Sequence, residues 1–508
     1  MTALSLLAQY FTVNPHSVTK FLKNNPNSVT YFSKNNPHSV TYSHKTEAYL
    51  RSMFPRIIIG ELQKWAAQGS RKPLVMRGAR QVGKTTLINQ FANQFEQYIY
   101  LNLELPADKA PFEQFTTIEV LVQTIFFIKN KSLSLKDNTL LFIDEIQEVP
   151  AALNTLRYFL ESEPGIAVVA AGSMLETLFN KNVSFPVGRV EYKVVRPVSY
   201  PEFLGAMAET SALEQLQQVP VATFAHSKLM ELFHTYAIIG GMPEVVNHYV
   251  QHKDFMALAP IYHSLIASYL DDVEKYAVST PEILHIRHAI QTSFSQAGKR
   301  IKFEGFGKSA YRSREMGEAL RTLEKALLLQ LVYPNTSAML PLLPDKKKSP
   351  RLQVLDTGMV NYFVGIQKDI LGTADLSSIY QGTIIEHLTG QELLAFQYNA
   401  LSSLNFWVRE KSGTAAEVDF LYVFDGKLIP IEVKSVASGT LKSLHLFMDM
   451  APHTMAVRFY AGALSITESV STGGKIYNLL NLPYYLVSQI EKYLFWFQQQ
   501  VEAKKTGR

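Results

Sequence analysis

Short apolar runs alternate with stretches of helical spacing between residues 57 and 171. Ile57–Trp65 carries apolar residues at helical intervals, and a second helical stretch, Thr86–Phe95, follows a glycine-rich turn. The apolar runs, read as strands, are Leu74–Met76, Tyr98–Leu103, Thr139–Ile143 and Ile166–Ala171. Strands that alternate with helices along a chain build a parallel sheet covered by helices. The pattern therefore predicts an α/β domain, which we assign to residues 51–205.

Beyond Pro201 the pattern changes to amphipathic helices without buried strands. Helices are predicted at 227–250, 256–276 and 283–297. A basic turn, Lys299–Lys302, separates the last of these from a long helix predicted from Ser313 to Tyr333-Pro334. Because this order suits a winged helix-turn-helix, residues 206–345 are interpreted as a helical connector with a winged-helix-like segment.

The last part of the chain mixes helices and strands after a loop at Pro344–Arg351. Strands are predicted at 404–409, 417–424 and 427–434, and helices at 379–397 and 481–500. We expect a further α/β domain at residues 352–485, followed by a C-terminal helix and tail at 486–508.

An eleven-residue repeat occupies residues 14–41. Its three copies begin Asn-Pro-His-Ser-Val-Thr, Asn-Pro-Asn-Ser-Val-Thr and Asn-Pro-His-Ser-Val-Thr at Asn14, Asn25 and Asn36. These polar, proline-punctuated units offer too little apolar surface for a stacked repeat fold. Residues 1–50 are therefore expected to be a mobile N-terminal extension.

Composition limits the remaining choices. A chain of 508 residues should contain two to four domains, and 47% apolar residues are ample for their cores. The absence of cysteine excludes disulfides, thiolate zinc sites and cysteine nucleophiles, and it fits a cytoplasmic location. The apolar runs are too short to span a membrane, so no membrane association is expected. A net charge of +5 would suit nucleic-acid binding without requiring it.

Residues 78–85 read Gly-Ala-Arg-Gln-Val-Gly-Lys-Thr, between a predicted strand and a predicted helix. In this spacing the glycines let backbone N–H groups face phosphates, Lys84 neutralises phosphate charge and Thr85 holds magnesium. The pattern predicts a P-loop that binds ATP with Mg2+. The predicted nucleotide contacts are Gly78, Ala79, Arg80, Gln81, Val82, Gly83, Lys84, Thr85 and Thr86.

Hydrolysis of ATP needs further groups, and four candidates follow the P-loop. Asp144 ends an apolar run and would be the second magnesium-side residue after Thr85, and the adjacent Glu145 would polarise water. Ser173 ends the next apolar run and would hold the water or the terminal phosphate, or it is an ordinary strand-end serine. Arg189 would reach that phosphate in cis or from a neighbouring subunit, or it is a surface arginine.

Several motifs together resemble bacterial and archaeal AAA-type ATPases whose P-loop domain is fused to a C-terminal domain of unknown function. The resemblance runs from about Arg56 to Ser435. It is carried by Arg77–Thr86, Phe142–Gln147, Ala171–Ser173, Val187–Arg189, Gly240–Pro243, Ser349-Pro350, Leu355–Gly358, Glu417–Phe420 and Ile431–Ser435. It implies an ATPase core, a winged-helix-like connector and a C-terminal fold like that of restriction endonucleases.

A second group of charged residues lies in the last domain. Glu432 and Lys434 would share one face of a strand, and a hairpin would bring them toward Asp419. Such a group would bind magnesium through two carboxylates and use the lysine on a phosphodiester, or it is a salt bridge on a sheet face. Glu386, on a predicted helix, resembles the additional helical acid of many PD-(D/E)XK nucleases.

The leading hypothesis is an ATP-hydrolysing protein associated with DNA, in which nucleotide state controls a nuclease-like domain. Two alternatives stay open: a slowly hydrolysing binding module with a catalytically silent C-terminal domain, and an ATPase that acts on protein partners. Assembly into a homo-oligomer is compatible with each.

Overall fold

The structure is a computed structural model that describes residues 18–21, 28–33, 36–43, 54, 56–172, 188–277, 279–366, 383–410, 415–434 and 441–505. The chain divides into two compact units, Met1–Pro55 and Arg56–Arg508. In the first unit, β1 (Val18–Phe21), β2 (Ser28–Ser33) and β3 (Asn36–Ser43) form an antiparallel sheet in that order. Each strand carries the Ser-Val-Thr of one repeat or part of it. The expected mobility of residues 1–50 stays a prediction.

The second unit begins with a parallel sheet of five strands. Its elements in chain order are α1 (Ile59–Ala66), β4 (Leu74–Arg77), α2 (Lys84–Phe91), β5 (Gln97–Asn102), α3 (Pro106–Gln114), α4 (Ile118–Ile128), β6 (Thr139–Asp144), α5 (Pro150–Ser162), β7 (Ala167–Ala171) and β8 (Glu191–Val194). The strand order is β5-β6-β7-β4-β8, and every neighbouring pair is parallel. All residues of β6 and β7 are buried, as continuous apolar runs require when helices cover both faces. The α/β class and the four predicted strands are confirmed.

Helices follow the sheet, as predicted, but with breaks that the sequence reading missed. They are α6 (Tyr200–Ala206), α7 (Thr210–Gln217), α8 (His226–Ile239), α9 (Pro243–His252), α10 (Ala259–Asp271), α11 (Val273–Tyr276), α12 (Thr280–Ser293) and α13 (Ser313–Lys325). The single helix predicted at 227–250 is wrong. Gly240, at φ 70°, ends α8, and Pro243 begins α9.

The long helix predicted from Ser313 to Tyr333-Pro334 is also wrong. Leu327 adopts a left-handed conformation, with φ 60°, just after α13 ends. The apolar residues beyond it form β9 (Leu329–Val332), which pairs with the later strand β11 (Arg351–Val354) in an antiparallel ribbon. A short strand, β10 (Pro334–Asn335), lies between them in the chain. The winged-helix-like character of this segment stays a prediction.

The last region holds a second five-stranded sheet, which is mixed. Its surrounding elements are α14 (Thr357–Phe363), α15 (Thr383–Ala395), β12 (Phe406–Arg409), β13 (Ala416–Val418), α16 (Lys442–Met450) and α17 (Ile490–Lys505). Its strands are β14 (Phe420–Phe424), β15 (Lys427–Val433), β16 (Met455–Tyr460), β17 (Ser465–Val470) and β18 (Ile476–Pro483), in the order β14-β15-β16-β18-β17. The helix predicted at 481–500 is wrong over its first part, where β18 ends and a 3-10 turn, Tyr484–Gln489, precedes α17.

A backbone hydrogen bond links the edge of the parallel sheet to the segment that follows α15. Strand β8 is at the edge of the parallel sheet, and the backbone N–H of Val194 donates to the carbonyl of Tyr398 at 2.9 Å. The segment after α15 therefore covers the end of this edge strand. Among the described residues, no helix is long and apolar enough to cross a membrane.

Candidate functional site

The P-loop lies at the carboxyl end of β4, between β7 and β8 in the parallel sheet. A Cβ atom added to Gly78 would lie 2.7 Å from the backbone oxygen of Val195, so this position excludes a side chain. Gly83 begins α2 with φ 90°, a conformation that favours glycine. The carboxyl edge of an open parallel sheet is where ligands usually bind in such folds.

Lys84 folds back over this loop. Its Nζ donates to the carbonyls of Gly78 at 3.0 Å and Ala79 at 2.9 Å, and only 7% of the residue is exposed. Burial lowers the pKa of Lys84 to about 8, although the charges of Glu145 and Asp144 oppose that shift. The ammonium group is therefore buried over the loop, where its hydrogen bonds go to backbone carbonyls and not to a carboxylate.

The two predicted magnesium residues meet each other. The Thr85 hydroxyl donates to Asp144 Oδ2 at 2.7 Å, and Tyr100 approaches the same oxygen at 3.4 Å. Burial raises the pKa of Asp144, which is 4% exposed at the end of β6. A hydroxyl and a buried carboxylate side by side are the oxygen ligands that Mg2+ prefers, so these residues fit the ion.

Glu145 sits directly after β6 in a left-handed conformation, with φ 51°. This turn directs the chain away from the strand, and its own N–H donates to Asp144 Oδ1 at 3.1 Å. The Gln147 amide donates to Glu145 Oε2 at 2.5 Å. Left-handed non-glycine residues are uncommon and cluster at functional sites. The side chain of Glu145, the residue after Asp144, is thus held by Gln147.

The other two candidates have different outcomes. Ser173 lies outside the described residues. Arg189 is half-exposed and pairs with Glu161 of α5 at 3.4 Å. Its proposed reach to a phosphate, in cis or in trans, stays a prediction.

Arg56 is hydrogen-bonded to the P-loop, and no sequence motif predicted a role for it. Its Nη1 donates to the carbonyl of Val82 at 3.1 Å, and its Nη2 donates to that of Arg196 at 2.6 Å. Its Nε lies 3.0 Å from Glu202 Oε1, and the arginine is 8% exposed. The contacts are with residues distant in sequence, so no local pattern could have revealed them.

The connector also touches the P-loop directly. Arg80 Nη1 lies 2.5 Å from both carboxylate oxygens of Asp272, which follows α10. The hydroxyl of Tyr269 donates to the Arg80 carbonyl at 2.9 Å. On the other side, a Cβ added to Gly83 would lie 3.6 Å from Pro243, at the start of α9. Helix α10 and the residue after it thus contact the loop that would hold phosphates, and α9 begins beside this loop.

The motifs Gly240–Pro243 and Leu355–Gly358 pack against each other. Asp356 is fully buried, and its Oδ2 accepts from the N–H of Gly241 at 2.6 Å. A Cβ added to Gly240 would lie 2.5 Å from Asp356, and one added to Gly358 would lie 2.1 Å from the carbonyl of Ile239. Burial raises the pKa of Asp356 to about 6. The glycines in both motifs therefore serve close packing.

A buried polar network continues from there into α15. Tyr236 donates to Glu392 Oε1 at 2.6 Å, and Gln391 donates to the Tyr236 hydroxyl at 3.1 Å. The backbone N–H of Tyr200 donates to both carboxylate oxygens of Glu392, at 3.1 and 3.2 Å. Burial raises the pKa of Glu392, which is 1% exposed, to about 8. These hydrogen bonds thereby join helix α15 to the segment that follows the parallel sheet.

Glu386 lies on the same helix and interacts electrostatically with Asp419 and Lys434. We call Glu386, Asp419, Glu432 and Lys434 the acidic cluster. Lys434 Nζ lies 2.5 Å from Glu432 Oε1, whereas Glu432 Oε2 is buried without a hydrogen-bond partner. Asp419 Oδ2 accepts from the N–H of Val433 at 2.7 Å. The four predicted residues of the second constellation thus lie within electrostatic reach of one another.

Burial and mutual repulsion shape the ionisation of this cluster. Burial raises the pKa of Glu386 and of Glu432 to about 8, and the negative charge of Asp419 adds to both shifts. Burial lowers the pKa of Lys434, but attraction to Glu432, Asp419 and Glu386 outweighs it, so the pKa is raised overall. Three acids crowd around one lysine, and a further cation would relieve their repulsion.

Arg351 supports the cluster and was also missed. It is 4% exposed, pairs with Glu417 and donates to the Asp419 carbonyl at 2.8 Å. Its guanidinium lies 4.5 Å from the ring centre of Phe406. Within the described residues, no group of three or more His, Cys, Asp or Glu side chains has the geometry to hold a metal ion. A magnesium ion here would rest on fewer carboxylates and on water, as is usual for this ion.

The basic residues between α12 and the start of α13 divide into two kinds. Arg300 forms ion pairs within the protein, with Glu410 at 2.7 Å and with Glu417 at 3.9 Å. Its charge is therefore already used within the protein. The exposed basic residues between Lys299 and Arg314 are Lys299, Lys302, Lys308, Arg312 and Arg314, and Arg314 pairs with Glu318 at 3.0 Å.

Three family models match the sequence. Residues 70–204 match a family described as an AAA domain, residues 230–370 match a domain of unknown function (DUF8612), and residues 381–485 match another (DUF4143). No curated protein matches the chain.

Solved structures show distant likeness. A Walker-type ATPase of Pyrococcus abyssi is 14% identical and matches over 61% of this chain and 96% of its own, with a TM-score of 0.40. The ORC1 protein of Aeropyrum pernix, solved with DNA, is 13% identical over 64% of this chain and 96% of its own, with a TM-score of 0.28. The family match and the five-stranded parallel sheet identify residues 70–204 as an AAA-type P-loop ATPase domain.

Proposed function

We propose that the chain hydrolyses ATP at the P-loop of its AAA domain, with Glu145 as the residue that polarises the attacking water. The observation that carries this proposal is the meeting of Lys84, Thr85, Asp144 and Glu145 at one edge of the sheet. Together these residues would supply phosphate binding, a magnesium site and a group that orients water, which phosphoryl transfer requires.

The division of labour follows from the side chains. The N–H groups of the loop and the Lys84 ammonium would bind the β- and γ-phosphates. Thr85 and Asp144 would hold Mg2+, which neutralises phosphate charge when it is bound. Glu145, kept in place by Gln147, would accept a hydrogen bond from water and orient it.

Two substitutions test this assignment. Lys84→Ala should weaken ATP binding severely, because it removes the charge that faces the phosphates. Glu145→Gln should retain binding but lower turnover by about a hundredfold or more, in the range of lost general-base catalysis. ATP affinity is measured by calorimetry, and turnover by phosphate release.

A matched control is available three residues away. Glu148→Gln removes the same charge from an exposed side chain that contacts Lys109 at 3.7 Å, and it should leave turnover unchanged. Equal loss of binding in Lys84→Ala and Glu145→Gln would show that the role of Glu145 is misassigned.

A second candidate function is metal-dependent phosphodiester cleavage at the acidic cluster, on a fold like that of restriction endonucleases. Glu432 Oε2 supports it, since a buried carboxylate oxygen without a partner is costly unless a ligand uses it. Asp419 and Glu432 would hold Mg2+, Lys434 would orient water, and Glu386 would lie behind them. The alternative is a silent cluster in a domain that only binds partners.

Nicking assays separate these alternatives. Asp419→Ala and Lys434→Ala should each abolish Mg2+-dependent nicking of DNA while ATP hydrolysis persists. Asp425→Ala, in the exposed turn between β14 and β15, is the matched control and should nick as the wild type does. Failure of the wild type to cleave single-stranded, duplex or branched DNA would favour the silent-domain alternative.

DNA is the partner that we favour, and exposed basic residues near α13 support it. Lys302 and Arg312 are exposed, whereas Arg300 pairs with Glu410 and Arg314 pairs with Glu318. If the segment binds DNA, ATP turnover should change on adding duplex DNA, and a Lys302→Ala, Arg312→Ala double variant should weaken the response. Turnover indifferent to DNA would favour a protein partner.

A further inference from the structure

One ion pair joins the P-loop to the connector. Arg80 Nη1 contacts both carboxylate oxygens of Asp272 at 2.5 Å. The strongest arginine–carboxylate pairs use two nitrogens in parallel, whereas here both oxygens share one. The Arg80 side chain is 40% exposed and that of Asp272 is 7% exposed. The arginine end of the pair therefore faces an open space, and the acid end is fixed in the protein.

Helix α10 holds the backbone of the same residue. The Tyr269 hydroxyl donates to the Arg80 carbonyl at 2.9 Å, three residues before Asp272. The next loop residue, Gln81, has a left-handed backbone with φ 64°. The C-terminal end of α10 thus contacts both the main chain and the side chain of Arg80. A change of partner at Arg80 would therefore change the contacts of this helix end.

The guanidinium also lies within electrostatic reach of the groups that would surround a terminal phosphate. Burial is the main cause that lowers the pKa of Lys84, and the positive charge of Arg80 adds to it. The hydrogen bond to Asp272 raises the pKa of Arg80, and the negative charge of Glu145 contributes as well. Arg80 therefore stands near both the phosphate-binding lysine and the acid that would polarise water.

A second cation lies near the Asp272 carboxylate, so loss of Arg80 would not leave this charge unpaired. Lys275 lies 3.6 Å from Asp272 Oδ1 on the following helix. Breaking a buried pair is costly when it strands one charge. A second cation nearby reduces that penalty, so exchange of Arg80 between two anions is physically accessible.

We infer that Arg80 changes partner with nucleotide state, pairing with Asp272 in the empty and ADP-bound protein and with the γ-phosphate when ATP is bound. This inference rests on the proposed ATP site. Arg80 is then an arginine supplied in cis to the phosphate that is transferred, a role that arginine suits because it binds phosphate oxygens with several N–H groups. Release of Asp272 transmits the presence of that phosphate to α10 and the connector.

A double-mutant cycle tests the exchange through binding rather than turnover. ATP and ADP affinities are measured for the wild type, Arg80→Ala, Asp272→Asn and the double variant. Arg80→Ala should weaken ATP about tenfold and leave ADP nearly unchanged, as expected for one lost charge-assisted contact. Asp272→Asn should tighten ATP several-fold, because the competing carboxylate is gone, and this gain should vanish in the Arg80→Ala background.

Controls separate this inference from the site itself. Asp271→Asn removes an equal charge from the exposed neighbouring position and should leave ATP and ADP affinities unchanged. Asp272→Asn changes the shape of the side chain little, and its folding is checked by thermal unfolding without nucleotide. An equal ATP gain with and without Arg80, or an equal loss of ATP and ADP in Arg80→Ala, would overturn the exchange. A wild type that binds neither nucleotide would instead overturn the proposed ATP site.

Discussion

At the scale of single residues, the P-loop lysine is the most informative group. Lys84 is buried on loop carbonyls, and its pKa in the nucleotide-free protein falls to about 8. Bound phosphates would raise that pKa, since they replace neutral carbonyls with negative charge. ATP binding should therefore take up a proton once the solution pH exceeds 8.

The prediction is that ATP affinity falls as pH rises from 8 to 9.5. Above pH 8 the free protein loses the Lys84 proton, which binding must restore, so Kd should rise by up to about tenfold per pH unit. Calorimetry in buffers of different ionisation enthalpy measures both the affinity and the proton uptake. Lys84→Arg stays charged throughout this range and should show a flat profile; a slope that persisted in it would assign the proton to another group.

Single residues also mark the limit of sequence reasoning. Gly78, Lys84, Thr85 and Asp144 were predicted because their spacing along the chain carries the chemistry. Arg56 was not, since its partners Val82, Arg196 and Glu202 are far away in sequence. Asp272 was missed for the same reason, because nothing near it in sequence indicates a contact with the P-loop.

At the scale of elements, α15 joins two regions of different chemistry. Glu386 interacts with the acidic cluster, while Gln391 and Glu392 bond to Tyr236 and Tyr200. Glu392 keeps its proton up to a pH of about 8 because it is buried. In an unfolded chain its pKa would be near the ordinary value of a glutamate.

The sign of the pH effect on stability follows. The folded pKa is raised, so the stability that Glu392 contributes is fully present below the unfolded pKa and is lost as pH rises toward 8. Glu392→Gln keeps the shape without the charge and lacks this loss. The stability of the variant relative to the wild type should increase between about pH 5 and pH 8, as measured by chemical denaturation. A difference that is constant with pH would contradict the assignment.

Element boundaries were predicted well only where pattern and packing agree. Strands β4, β6 and β7 are buried apolar runs in a parallel sheet, and β5 alternates buried and accessible residues; periodicity identifies both patterns. The segment 326–333 is equally apolar, yet Leu327 turns left-handed and β9 pairs with β11 about twenty residues later in the chain. That pairing is a long-range choice, and local helical spacing gave no indication of it.

At the scale of the whole molecule, residues 1–55 form a unit separate from residues 56–508. The repeats supply the strands of a small antiparallel sheet, and every residue of the P-loop and the acidic cluster belongs to the second unit. The repeats are polar and contain few apolar residues, so we do not expect them to contribute to the hydrophobic core of the second unit.

Deletion of residues 1–50 should accordingly leave ATP turnover within about twofold of the full chain. The thermal transition of the remaining protein should also move by no more than a few degrees, the effect of about 1 kcal/mol or less. Phosphate release and calorimetry measure the two quantities on the same preparations. A fall of ten degrees or more would show that the extension supports the second unit.

The contact between Val194 and Tyr398 has a practical consequence for expression. A fragment cut to the AAA domain alone, ending near residue 205, would lose the segment that accepts a hydrogen bond from β8. An uncovered edge strand is a template for pairing with another chain. Such a fragment should aggregate in proportion to its concentration while the longer chain stays dispersed, so low solubility of the isolated domain would reflect its truncation rather than an unstable core.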